Sequence, residues 1–365
     1  MNRKETSRTR MLCSCVAIAI AGIGCATIAG LDEDFQHAPV CDPLVPPTAS
    51  NVTGAGDDIE FVTAIRTIDL DEEDDTPRFG YDIDGKCTCT LDGPSCKRPA
   101  YVDVKKETCD DVRGIDNGAG VAFARINALA AGAISSVLIN QGAAQGLWSL
   151  LIRVSKYSGT PNDDRVTVAL HETPGMIAPA WNGTDVWPVS NASVDGSIDK
   201  PIIVDDEAYV RDGLLVARLP GMRMRFRGEQ VDLVISAISV TLTARIVDAG
   251  GGTFRLTEGT MAGKWTHAAL FDALDGFRYG LGGTNKLCRG EIVYIQVKNM
   301  FCSATDVREA EGQNDGTEFC DAISLGLRFD TERAALGAIA DPAPPPDGSC
   351  DPGSEPGSDS CESPL

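Results

Sequence analysis

Residues 222–246 read MRMRFRGEQVDLVISAISVTLTARI. Two runs in this stretch have a period of two. Met222, Met224 and Phe226 alternate with Arg223, Arg225 and Arg227; Ile238, Val240, Leu242, Ala244 and Ile246 alternate with Ser239, Thr241, Thr243 and Arg245. Successive side chains of a strand point to opposite faces, so each run predicts a strand with one face in an apolar core and one in water. Between the runs, VDLVI (231–235) keeps Val231, Leu233 and Ile235 on odd positions, whereas 238–246 uses even ones. That switch, near Ser236–Ala237, predicts a bulge or a break between strands.

The same period recurs on both sides. Val166, Val168 and Leu170 alternate in RVTVAL (165–170), and Ile323, Leu325, Leu327 and Phe329 alternate in AISLGLRF (322–329). IEFVTAIRTIDL (59–70) reads as a first strand. Turn signals punctuate the series at Gly159-Thr-Pro-Asn-Asp, Asp212-Gly213, Pro220-Gly221 and Gly250-Gly-Gly. Helical spacing appears at 118–145, at 264–278 with Trp265, Leu270, Leu274 and Phe277 as buried positions, and at 285–302. Many short strands with few helices imply a mainly β chain. The expectation is an antiparallel β-sandwich-like domain with a few helical insertions, stabilised by disulfides. Residues 58–340 read as one β-rich domain. It contains a Cys-rich segment (79–117), a β core (147–262), a helical insertion (264–303) and a return strand (322–330). That length can bury a full core.

The first residues carry a different message. Arg3, Lys4, Arg8 and Arg10 stand against one acid, Glu5, and an apolar run follows from Met11 to Ile23. It closes with Gly22-Ile23-Gly24-Cys25. A positive start, a short apolar stretch and small closing residues make a secretory signal peptide over 1–24, too short to span a bilayer. Small residues directly before a Cys resemble a bacterial lipoprotein signal. That resemblance implies cleavage before Cys25 and lipidation of Cys25, although Gly22 stands where the family usually has Leu. Ala26, in place of an Asp, implies the outer membrane. Residues 25–57 read as a lipidated tether, and 341–365, rich in Asp, Pro, Gly and Ser, as a disordered tail.

Of 13 cysteines, Cys13 and Cys15 leave with the signal and Cys25 takes the lipid. Ten remain: Cys41, Cys87, Cys89, Cys96, Cys109, Cys288, Cys302, Cys320, Cys350 and Cys361. An even number in an oxidising compartment predicts five disulfides. Five lie between Cys41 and Cys109 and three between Cys288 and Cys320, so if Cys350 closes on Cys361 a bridge must join the early cluster to the late one. On a helix over 285–302, Cys288 and Cys302 would be about 21 Å apart, beyond the roughly 7 Å between Cα atoms that a disulfide tolerates. Cys302 with Cys320, and Cys288 with the early cluster, are the expected pairs. Zinc fits poorly: Cys87-Thr88-Cys89 lacks the two-residue gap, and the chain has 3 His.

The strings GYDIDGKCTC, CDDVRGIDNGAG, LLIRVSKYSGTPNDDRVTVAL and CDAISLGLRF resemble those of uncharacterised lipoproteins from myxobacterium-like Gram-negative bacteria. The resemblance spans most of residues 60–337. It implies no activity and no residue role.

The net charge is −21, from 32 Lys and Arg against 53 Asp and Glu, and removal of residues 1–24 makes it three charges more negative. Such acidity disfavours nucleic acid as a partner. The catalytic signatures fail one by one: His171-Glu172 lacks the second His of a zinc protease, no GxSxG occurs, and the P-loop-like Gly259–Trp265 is one residue short. Candidate sites are therefore binding sites. Asp82, Asp84, Asp110, Asp111, Asp116 and Asn117 lie at short spacing near glycines and could wrap oxygens around a structural calcium ion. Arg223, Arg225 and Arg227, with Arg218 nearby, could bind an anionic glycan or phosphate; a solvated or edge-guarding face is the plainer reading. Trp181 and Trp187 could belong to a sugar-binding loop or to the core. The expectation is a lipid-anchored envelope protein that binds a glycan or protein, or is structural, without catalysis. The alternative is a secreted glycan-acting hydrolase with unidentified carboxylates.

Overall fold

The two runs of the diagnostic stretch become paired strands. In the computed structural model, β6 (Leu214–Arg227) and β7 (Val231–Gly250) run antiparallel, from Leu214 opposite Arg245 to Arg227 opposite Asp232. The structure describes residues 40–49, 58–73, 77–89, 91–102, 108–129, 134–228, 231–279, 285–312, 315–342, 344 and 348–363. The signal, Cys25 and most of the tether lie outside the described residues. Among those described, no helix is long and apolar enough to cross a membrane.

The remaining elements, in chain order, are β1 (Ile59–Asp69), α1 (Gly118–Leu129), α2 (Ser136–Ala144), β2 (Leu150–Tyr157), β3 (Asp163–Glu172), β4 (Val186–Ser190), β5 (Ile203–Arg211), β8 (Thr253–Thr266), α3 (His267–Gly276), β9 (Arg278–Tyr279), β10 (Asn285–Lys286), α4 (Ile292–Ser303) and β11 (Ala322–Ala340). The chain is mainly β, as the alternation predicts. β1, β2, β3, β5, β6, β7, β8 and β11 pair antiparallel in that order, and β11 pairs back to β1. The two layers expected of a sandwich are thus two sides of one sheet closed on itself, which leaves the ring no free edge. β4 adds in parallel to the far end of β11, and β9 with β10 extends from the start of β7.

Alternate residues of the ring strands turn inward to one buried cluster that includes Phe61, Ile152, Val168, Val210, Leu233, Leu256 and Leu325. The period switch is present two residues later than the sequence places it. On β7, Val231, Leu233, Ile235 and Ala237 are buried, then Val240, Leu242 and Ala244. β6 carries a matching switch, from Leu215, Ala217 and Leu219 to Met222, Met224 and Phe226. Gly221 lies opposite Ile238 and Leu219 opposite Val240, so Pro220 faces Ser239. Pro220–Gly221, a turn by its composition, is instead a kink inside a 14-residue strand. Proline withholds an N–H from the ladder and glycine has no Cβ to obstruct the bend. The two strands kink together and stay in register with each other, while the β7–β8 ladder shifts between Ile238 and Thr241.

The four α-helices among the described residues arise between β1 and β2 or between β8 and β11, whose ends lie on the same rim of an antiparallel ring. There α2 touches both β1 and β6, the Trp148 indole donates to the Ile139 carbonyl at 2.7 Å, and Phe226 meets Trp148 edge to face. Phe61, Tyr157 and Phe254 pack together near the opposite rim, with centroids 5.4–6.3 Å apart. The helix expected over 118–145 is two helices. That expected over 285–302 begins at Ile292, so Cys288 precedes it. Trp265 is buried but ends a strand; the helix after it starts at His267, capped by the Thr266 hydroxyl.

All ten cysteines from Cys41 onward pair, as parity predicts: Cys41–Cys87, Cys89–Cys109, Cys96–Cys320, Cys288–Cys350 and Cys302–Cys361. Cys288 and Cys302 do not join, and one bridge links early and late clusters. The partners differ from expectation. Cys320, not Cys288, meets the early cluster, and Cys350 and Cys361 do not close on each other. Each ties the tail back instead. Residues 348–363 are therefore not a loose tail: Cys361 is fully buried, and Asp359 accepts from Tyr294 and Lys298 on α4. Composition hides this, because two cross-links and one buried ion pair do the work an apolar run would do.

Candidate metal centre

The Cys-rich segment crosses the outer face of β7, β8 and β11. Gly80 passes close over Gly326 of β11, where any Cβ on Gly326 would strike the Phe79 carbonyl. The Tyr81 hydroxyl meets the Thr243 hydroxyl at 2.7 Å, and Gly118 N–H donates to the Ser324 hydroxyl at 2.7 Å. The bridge Cys96–Cys320 fixes the far end. This seating turns a set of carboxylates inward.

Asp82 accepts from Gly85 N–H at 2.6 Å, in a turn where Gly85 has φ of 79°. Asp84 accepts from Lys86 N–H at 2.8 Å and from the Ser95 hydroxyl. Asp116 accepts from Ile83 and Asp84 N–H at 2.7 and 3.3 Å. One oxygen from each of these three lies within 4.8 Å of the other two. Asp110 accepts from Thr88 N–H at 2.8 Å, and Asp306 accepts from both Ser324 N–H and its hydroxyl. Asp116 is 1% exposed and Asp110 7% exposed.

Burial is the first cause that pushes these acids up. Asp82 and Asp84 rise above the usual carboxylate range. Asp110 is pushed to about 8 by burial, with the Asp306 and Asp84 charges adding to it. Asp306 rises to about 6 against the opposing Ser324 bonds. Asp116 is held well above the ordinary value by burial, then by Asp84, Asp110 and Asp306. Such a group either keeps protons or takes a cation.

Four of the six residues expected at a calcium site thus come together: Asp82, Asp84 and Asp116 as mutually close oxygens, with Asp110 in electrostatic reach. Two do not. Asp111 pairs with Arg113 at 2.8 Å and caps its own turn. Asn117 spends its amide on structure: its oxygen accepts from Gly326 and Gly120 N–H, and its nitrogen donates to Asp71. Asp306 was missed. It lies 190 residues from Asp116 in sequence, and nothing local sets it apart from the many other acids.

The arginine face is matched by carboxylates. Arg223 pairs with Glu172, and Arg225 grips Asp232 through two nitrogens at 2.8 Å, with Arg227 at 3.8 Å from the same acid. They line a cleft of about 550 Å³ beside α3. No family model matches the chain, and comparison with curated proteins and with solved structures finds no match. Of the two tryptophans, Trp187 is core and Trp181 is half-buried against it. Trp187 is fully buried, Trp181 packs on it at 5.3 Å, and Asp185 ties their loop by accepting from Ala180 and Trp181 N–H. With Ala64, Leu151, Val189 and Val194 they make a second small core over the outer face of β1 and β2. His171 lies on the outer face of β3, fully buried, and neither ring nitrogen has a hydrogen-bond partner among the described residues. Burial first, and then Arg153, lowers it to about 4.

Proposed function

We propose that this chain is an exported protein of the cell envelope, anchored to the outer membrane through a lipid on Cys25, and that it binds or scaffolds rather than catalyses. The observation that carries the reading is the pairing of all ten cysteines between Cys41 and Cys361. Disulfides persist where the compartment oxidises, and export supplies that compartment. The positive, apolar and small-residue order of residues 1–25 supplies the route and the anchor. A net charge of −21 weighs against nucleic acid and leaves a glycan or protein as partner. Trp187 packs inward and Trp181 packs on it, which weighs against the pair as an exposed sugar-binding platform. Mass spectrometry of the mature protein tests the proposal: the expected first residue is a diacylglyceryl-modified Cys25 in the membrane fraction. An intact amino end with free thiols would overturn it.

A calcium ion at Asp82, Asp84 and Asp116 completes the reading. It is favoured by the convergence of three carboxylate oxygens within 4.8 Å, one of them from the fully buried Asp116. Every donor is a hard oxygen, which suits calcium better than zinc or copper. Calcium is expected to raise the melting temperature and EDTA to lower it, with Asp116→Asn removing the response. An EDTA-insensitive wild-type melt discards the ion.

A further inference from the structure

A cleft of about 870 Å³, a volume suited to a small molecule, lies where β6 and β7 switch faces, between Pro220, Ser239 and the Cys-rich segment. Ser239, on its wall, has a φ of 50°, a conformation uncommon for a residue with a side chain. Strain and bulges of this kind gather where a surface is shaped for a ligand. Tyr81, Ser239 and Thr241 supply hydroxyls to the lining.

Two cations line the same cleft, and among the described residues neither side chain meets a carboxylate within ion-pair distance. Lys264, on β8, is 3% exposed. Its ammonium has three donors but one acceptor among the described residues, the Glu309 carbonyl at 3.4 Å. Lys298 shows what a satisfied buried lysine looks like here: it is 2% exposed and reaches both Asp359 oxygens at 3.0 Å. Arg218 is exposed; its backbone N–H donates to Asp205 at 2.6 Å, but unlike those of Arg223, Arg225 and Arg227 its guanidinium has no carboxylate partner among the described residues. Burial lowers the Lys264 pKa, while Glu311, Asp321, Asp116 and Asp84 oppose that shift from a distance.

We propose that this cleft binds the carboxylate or phosphate group of a small polar molecule, with Lys264 at the floor and Arg218 at the rim as donors. An oxyanion supplies acceptors for the two cations at once, and Arg218 offers a planar fork that a carboxylate or phosphate matches. Asp82 and Glu311 share the lining, so an anion must approach the two cations past acids that favour a ligand carrying donors of its own.

The test uses the full chain in EDTA, so that it stands apart from calcium. Acetate and inorganic phosphate are the probes, with chloride as the reference anion at matched ionic strength. Calorimetry and the rate at which an amine-reactive ester modifies Lys264, read by mass spectrometry, are the measurements. Acetate or phosphate is expected to bind and to slow modification of Lys264 several-fold. Lys264→Met should abolish binding. Arg218→Ala, at an exposed position that leaves the fold intact, should weaken it about tenfold, as expected for loss of a charged hydrogen bond. Protection by acetate alone assigns a carboxylate, by phosphate alone a phosphate, and by both the shared chemistry. The proposal falls if neither probe protects Lys264, or if Arg218→Ala binds as the wild type does.

Discussion

The closed ring and the Cys-rich segment lying on it are held together by different physics. In the ring, eight strands satisfy their backbone groups on one another and turn alternate apolar side chains into one core. The described residues of 77–117 contain no strand and bury few apolar side chains, Phe79, Val102 and Ile115 besides their cysteines. Among the described residues their ladders are isolated bridges such as Thr88 with Asp92 and Lys97 with Phe319. Three disulfides strap them, and acid side chains accept their backbone N–H groups: Asp71 from Phe79, Asp116 from Ile83, Asp84 from Lys86, Asp92 from Cys87 and Asp110 from Thr88. The acidity of this region is therefore partly structural, since carboxylates do there what strand neighbours do in the ring. The two regions should fail under different insults.

The largest separation comes from the bridge between them. Cys96–Cys320 spans 224 residues, and closing a loop of that length is worth about 5 kcal/mol in the chain-entropy account. Replacing both cysteines by Ser should lower stability by that order in urea melts. Hydrogen exchange should accelerate over residues 79–117 first, with the ring still protected. Simultaneous loss of protection in both regions would show one cooperative unit and dissolve the contrast.

The converse insult is a core cavity. Trp265 is fully buried between α1 and α4, beside Phe123 and Phe301. Trp265→Ala should cost about 4 kcal/mol through lost burial and an unfilled cavity, and leave the calcium response of the melt in place. A lost calcium response would mean that the acids depend on the ring's packing more closely than their own bonds imply.

How much of each region could be read in advance follows the same division. Period two is a property of neighbours in sequence, so Ile323, Leu325, Leu327 and Phe329 were legible as a buried face and are one. Closure of the ring was not, because β1 meets β11 through registers such as Val62 with Ala334 that no local pattern encodes. The kink was half legible: the switch on β7 showed in the pattern, but Pro220–Gly221 carried turn chemistry that the surrounding ladder overrode. Asp82, Asp84 and Asp116 were legible as a cluster because glycine turns bracket them. Asp306 and Lys264 reach the same place only through the fold. Cysteine parity gave the number of bridges, and chain geometry alone decided which sulfurs met.

Titration should separate the regions by sign. Without a cation, Asp110 is raised to about 8 and Asp306 to about 6, so the folded state holds protons that the unfolded chain releases above about 4. Their contribution is full below about 4 and is lost as pH rises toward 8. His171 works the other way. Its pKa falls to about 4, so below about 6.5 the unfolded chain binds a proton that the folded one refuses. Its contribution is full above about 6.5 and is lost as pH falls, amounting to at most about 3 kcal/mol. In EDTA, protection relative to the intrinsic exchange rate should fall over residues 79–117 as pH rises from about 4 to 8, and over β3 as pH falls from about 6.5 to 4. Calcium should flatten the first trend alone. Parallel slopes in the two regions would contradict these assignments.

The smallest expected effect concerns the ring's own acids. Glu172 ends β3 and Asp232 lies on the outer face at the start of β7, and both are met by Arg223 and Arg225 rather than by backbone N–H groups. The Arg223 side chain is 42% exposed, so solvent screens the pair, and Arg223→Ala should cost under about 1 kcal/mol. Burial raises Glu172 and Arg223 opposes that rise, so deleting the arginine should raise Glu172 further. The pair exists only while Glu172 is charged. The cost should therefore show at neutral pH and vanish once acid has protonated Glu172 in both proteins. An equal loss at both ends of that range would mean that Arg223 acts through the packing of its stem, and that the outer face of the ring, like its interior, is held by contact more than by charge.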